Sequence, residues 1–132
     1  MTTLTHTWNA TTVESSQRSR TITGVLWVLQ IASAAMFLFA GGLKLAGVPL
    51  MVQEFGVIGL GQWFRYFTGT IEVVSAVLLL IPSVAAYGAA ALAVTMVGAI
   101  TTHLFIIGGS PAIPIVLLAA TSTIAWARRS GR

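Results

Sequence analysis

The chain has 132 residues, 56% of them apolar or aromatic and only 8% charged, with a mean hydropathy of +0.90. Soluble domains carry about 25% charged residues, so this composition excludes an ordinary cytosolic enzyme, a nucleic-acid module and a disordered regulator. The net charge of +4 rests on seven Lys and Arg against three Glu, and cysteine is absent, which excludes disulfides, iron–sulfur clusters and thiolate metal sites.

Residues 1–21 are rich in Thr and Ser with no apolar period, the composition of a mobile polar tail. They hold a weak glycosylation match at Asn9-Ala10-Thr11. Residues 22–45 are apolar until Lys44; at about 1.5 Å per residue they exceed a hydrocarbon core of about 30 Å and read as a first membrane span. Ala32-Ser33-Ala34 resembles a signal cleavage site, but the apolar run continues beyond the roughly 7–15 residues of a signal core, so an uncleaved span is expected. After a turn at Gly47-Val48-Pro49, the glycine-rich stretch 50–61 reads as a short interfacial or re-entrant segment.

A second span, 63–81, carries Arg65 and Glu72 and is stopped by Pro82, which cannot continue a helix. Ser83 is a candidate N-cap for the third span, 84–107, dense in Ala and Gly with His103 near its end. Gly108-Gly109-Ser110-Pro111 makes the next turn, with Ser110 as cap and Pro111 at the first helical position. A shorter fourth span covers 112–127, followed by a basic tail, 128–132.

Short connections make consecutive helices antiparallel neighbours. The expected fold is therefore all-α: a membrane-embedded antiparallel four-helix bundle with a short interfacial segment between its first two spans. Arg18, Arg20, Arg128, Arg129 and Arg132 flank the termini, against Lys44 and Arg65 on the other side, so the positive-inside rule puts both termini in the cytoplasm.

In this topology Lys44, Arg65, Glu72 and His103 all fall in the outer half, Glu72 roughly 13 Å and His103 roughly 6 Å below the boundary. On the second span Arg65, Thr68, Gly69, Glu72, Ser75 and Ala76 share one face, as Gln30, Ser33, Phe37, Gly41 and Lys44 do on the first. An ionisable residue within a span is a functional-site hypothesis by default. Against it stands a structural reading: Glu72 pairs with Arg65, Lys44 or His103, or stays protonated on a backbone carbonyl. Lys44 is also placed to snorkel, His103 to be a buried hydrogen-bonding partner, and Glu54 to be a solvated loop carboxylate. The candidates for ligand binding or proton exchange are Glu72, His103, Lys44, Arg65 and Glu54, with no catalytic or metal-ligating set. One His in the spans is too few for a bis-histidine haem, and the carboxylates are too few for a di-metal bundle.

The ordered pieces Phe39-Ala40-Gly41-Gly42-Leu43-Lys44-Leu45, Gly69-Thr70-Ile71-Glu72, Leu79-Leu80-Ile81-Pro82 and Ala99-Ile100-Thr101-Thr102-His103 resemble the DoxX-like family of small bacterial membrane proteins, over roughly 25–127. The resemblance implies a four-helix protein of the bacterial inner membrane in which Lys44, Glu72 and His103 match the family's polar signature. Named relatives are associated with quinone-linked sulfur oxidation or with complexes that recruit soluble redox enzymes, and distant ones with membrane-protein maturation.

The leading expectation is a non-catalytic membrane subunit or scaffold. It would sit in the lipid bilayer with a protein partner or as a homo-oligomer, hold no intrinsic cofactor, bind no nucleic acid, and offer a small outer pocket to a lipophilic ligand. The alternatives are a quinone-interacting subunit of a membrane oxidoreductase, with Glu72 and His103 exchanging protons with the headgroup, and a transporter or membrane-protein chaperone.

Overall fold

The computed structural model describes the backbone of residues 2–129 and the side chains of Gln17 and residues 19–129. It is all-helical: α1 (Thr2–Ala46), α2 (Pro49–Ile58), α3 (Gln62–Leu79), α4 (Ala85–Thr102) continued by a π-helical turn (His103–Ile107), and α5 (Ala112–Arg129). Two stretches are long and apolar enough to cross a membrane, Ser19–Ala46 and Ala85–Ile107. The contacts follow the chain: α1 packs on α3, α3 on α4 and α4 on α5, with a smaller contact between α1 and α5, and α2 lies against α3 and the π-helical turn.

The backbone of the segment expected as a polar tail, 1–21, is helical from Thr2 onward and part of α1. The sequon at Asn9 and the ends of both basic tails, Arg18 and Arg132, lie outside the described side chains. Two expectations need correction. The third span is not one α-helix. Thr101, Thr102 and His103 return side-chain hydrogen bonds to the carbonyls of Val97, Gly98 and Ala99, a back-bonding that bends helices, and the chain then widens into a π turn closed by Gly108 N–H on the His103 carbonyl at 2.9 Å. Finally, α4 is preceded by Val84 with no side-chain cap, so Ser83 does not serve as one. Ser110 does: its hydroxyl accepts the Ala112 N–H at 3.2 Å.

Apolar side chains fill the interior and also cover most of the exterior. The core is built from Ala34, Phe37, Ala76, Leu79, Ala89, Leu92, Met96 and Ile124, with Gln30, Ser33, Arg65, Glu72, Ser75 and Thr121 buried among or beside them. Outside stand large apolar residues such as Val28, Phe39, Val116, Val94 (73% exposed) and Phe105 (80% exposed).

The α1–α3 contact depends on Gly41. A Cβ there would lie 2.8 Å from Val73 Cγ2 and 2.9 Å from the Gly69 carbonyl oxygen, whereas at the adjacent Gly42 it would meet nothing within 4 Å. Gly41→Ala is therefore expected to destabilise the protein by about 1–3 kcal/mol through overpacking. Gly42→Ala is expected to stabilise it by up to about 1 kcal/mol through helix propensity. Thermal unfolding of the two variants in detergent checks the contrast, and equal effects would refute the close approach.

Candidate functional site: two polar clusters at opposite ends of the helices

On α3 the buried positions are Arg65, Gly69, Glu72, Ser75, Ala76 and Leu79, spaced three or four apart, which is the geometry of one helix face. On α1, Gln30, Ser33, Ala34, Phe37 and Gly41 are buried and Lys44 is half-buried on the same stripe. Where the stripes meet, Lys44 Nζ donates to Glu72 Oε2 at 3.1 Å as an ion pair, with Glu72 only 2% exposed. This selects one among the three cations that sequence left open as partners for Glu72.

Arg65, two turns before Glu72, does something else. Its Nε donates to Gln62 Oε1 at 2.8 Å, its Nη1 to the carbonyl of Lys44, and its guanidinium lies 4.2 Å from the Tyr66 ring centroid. That carbonyl belongs to the last turn of α1, whose terminal C=O groups lack intrahelical donors. The turn closes as a Schellman motif, with Val48 N–H on the Leu43 carbonyl and Gly47 N–H bonded to the carbonyls of Leu43 and Lys44. Gly47 has φ +70°, and a Cβ on it would lie 3.2 Å from Arg65 Nη1. Glycine thus serves both the left-handed conformation and the space for the guanidinium. Arg65 completes the cap as a cation at a helix C-terminus, where the helix dipole favours positive charge.

The remaining candidates stand apart from this group. The hydrogen bond of the half-buried His103 runs to Ala99 in its own helix, and neither it nor Glu54 on α2 has a hydrogen bond or ion pair to Lys44, Arg65 or Glu72 among the described residues. The segment carrying Glu54 is a helix, α2, held on α3 by Phe55 against Phe64, with ring centroids 5.9 Å apart, and by Gln62 Nε2 on the Val52 carbonyl at 3.1 Å. No three or more His, Cys, Asp or Glu among the described residues are grouped as metal ligands. An open apolar groove of about 350 Å³ lies between α1 and α5, lined by Met36, Ala112, Ile113, Val116 and Leu117; none of the candidate residues lines it.

A second cluster at the opposite end was not nominated from sequence. The fully buried Gln30 donates from Nε2 to the Leu79 carbonyl at 2.6 Å and accepts at Oε1 from Arg128 Nε at 2.7 Å, joining α1, α3 and α5. Arg128 also lies over Trp27, 5.5 Å from the ring centroid. The signal for Gln30 was present as a polar residue on the Lys44 stripe, but Arg128 reads in sequence only as part of a basic tail.

The Lys44–Glu72 pair has a measurable signature. Glu72→Gln leaves a half-buried ammonium without its counter-charge and is expected to cost about 3 kcal/mol. The double variant Lys44→Met/Glu72→Gln, which removes both charges, is expected to recover most of that. A double-mutant cycle on thermal stability checks this, and additive losses would show that the pair is not coupled.

The DoxX-like family model matches residues 28–126 of the chain, a segment that contains both clusters except for Trp27 and Arg128. No curated protein and no solved structure matches the chain. The match takes in three quarters of the sequence, together with Lys44, Glu72 and His103, and the chain belongs to the DoxX-like family.

Proposed function

We propose that the protein is a non-catalytic, multi-pass membrane subunit. In this reading α1, α3, α4 with its π turn, and α5 cross the bilayer as an antiparallel four-helix bundle, and α2 lies at the outer interface. The observation that carries the reading is the apolar exterior: Val, Phe, Ile and Leu face outward, while the few charged and amide side chains along the helix contacts are buried and bonded to one another. In water an exterior of that kind aggregates, since contiguous apolar surface drives association; in lipid it is solvated, and the internal polar groups must find partners within the protein. The 18-residue α3 and α5 span about 27 Å each, close to the hydrocarbon thickness.

The non-catalytic part of the reading rests on how the reactive groups are occupied. Glu72 holds Lys44, Arg65 caps α1, and Gln30 holds Arg128. Such groups fix helices against one another and present a defined outer surface, formed by α2 and the π turn, to a protein partner or a second copy. The quinone alternative asks Glu72 and His103 to share one headgroup, and the separate hydrogen bonding of these two residues lends it no support. The bacterial inner membrane is the compartment that the family relationship suggests, with the Arg-rich ends in the cytoplasm.

Two measurements test the proposal. Reporter fusions at both termini are expected to report the cytoplasm, and an external location of either end would refute the topology. Purification from native membrane in mild detergent is expected to co-elute a defined polypeptide in fixed stoichiometry or a homo-oligomer. A purified monomer that turns over a substrate unaided would refute the non-catalytic reading.

A further inference from the structure

Among the described residues, the Arg-rich end of the helices holds a cation that has no carboxylate bonded to it. Arg128 is fixed by its Nε bond to Gln30, and Gln30 is itself fixed by its bond to the carbonyl of Leu79, the last residue of α3. One face of the guanidinium is covered by Trp27. Its Nη2 is buried and has no hydrogen-bond partner among the described residues. Beside it Arg129 lies over Trp126, 5.4 Å from the ring centroid, and Arg20 is exposed.

The chain has acidic side chains only at Glu14, Glu54 and Glu72. Glu72 is committed to Lys44, and Glu54 sits on α2, which follows the far end of α1. Gln30 and Lys44 are roughly 21 Å apart along α1 at about 1.5 Å per residue. Among the described side chains, then, no carboxylate pairs with Arg128. An unpaired donor on a charged group is costly; with Nε held by Gln30 and Nη2 enclosed, the fixed guanidinium has Nη1 left to make one charge-assisted hydrogen bond to a phosphate oxygen.

We propose that Arg128, seated on Gln30 and flanked by Trp27, is a binding site for the phosphate of an anionic phospholipid; this rests on the membrane reading above. A lipid, rather than free phosphate, is favoured by what surrounds the guanidinium. Ile22, Val25 and Trp126 are exposed at this end, giving acyl chains an apolar flank beneath a headgroup held at the arginine, and Trp at the interface level is placed for this role. Arg129, held only against its exposed Trp, adds general attraction rather than a site.

The test uses the full chain in nanodiscs of phosphatidylcholine containing a minor fraction of phosphatidylglycerol, with native mass spectrometry counting the lipids retained by the protein. The wild type is expected to enrich phosphatidylglycerol. Arg128→Gln is expected to lower that enrichment about tenfold, the value of one charge-assisted phosphate contact, and Arg129→Gln by about twofold or less. Retention of the wild-type enrichment in Arg128→Gln, or equal losses in the two variants, overturns the proposal; so does displacement of the lipid by millimolar inorganic phosphate. If Arg128→Gln fails to fold, Arg128→Lys makes the same comparison with the charge kept: lost enrichment supports a guanidinium site, and full enrichment overturns it. Failure of the wild type to enter pure phosphatidylcholine discs overturns the membrane reading and this site with it, and is distinguished by the protein not migrating with the disc.

Discussion

The Lys44–Glu72 ion pair joins α1 to α3 at a close approach of the two backbones, beside Gly41 and Gly69. A charge enclosed by packed helices is costly unless its partner comes from within the chain. Pairing the two removes the net charge at that depth, and the small residues around them let the backbones approach until the side chains meet. The stripe on α3 has to face α1 for this pairing to exist. That orientation in turn sends Val74, Val77 and Leu80 outward and fixes which face of α3 meets α4. Packing among apolar surfaces alone leaves helix rotation weakly determined in lipid, because lipid tails solvate Leu and Val as well as a neighbouring helix does.

The two polar clusters solve one further problem at two places. A helix ends with carbonyls that lack intrahelical donors, and an end that is packed against other helices cannot hand all of them to water. Arg65 reaches from α3 to the carbonyl of Lys44 near the end of α1, and Gln30 reaches from α1 to the carbonyl of Leu79 at the end of α3. Each helix thus satisfies the other's terminal carbonyl, at opposite ends of their contact. Arg128 then ties α5 to the same amide, which places the last helix against the first although their direct contact is smaller than that of the other neighbours.

Much of this is legible in sequence, for physical reasons that differ from residue to residue. The inward stripe on α3 follows from three- and four-residue spacing, and five of its six expected members are buried, with Thr68 partly covered. Which cation takes Glu72 is not legible, because Lys44, Arg65 and His103 are all placed near it by topology alone; it depends on Arg65 being diverted to a helix end. The π turn also escapes periodicity, since one widened turn leaves an apolar stretch equally apolar. It is entered through three consecutive residues, Thr101, Thr102 and His103, each bonded back to its own helix, and is closed by Gly108. Gln30 is legible as a polar member of the α1 stripe but its partners are not, although an amide is suited to accept from an arginine and donate to a carbonyl at once.

The separation of His103 from Glu72 follows from the same geometry. Along antiparallel α3 and α4, residue 72 stands about ten positions before the Pro82 turn and residue 103 about twenty after it, so the two lie at different levels. The back-bonded residues and the π turn lie at the far end of α4, level with α2 rather than with Glu72, and α2 packs on that turn. His103 therefore belongs to the rim formed by α2, while Glu72 belongs to the interior of the α1–α3 contact. A single chemical step using both would require bringing them to one level, which the Lys44 pairing opposes by holding Glu72 in place.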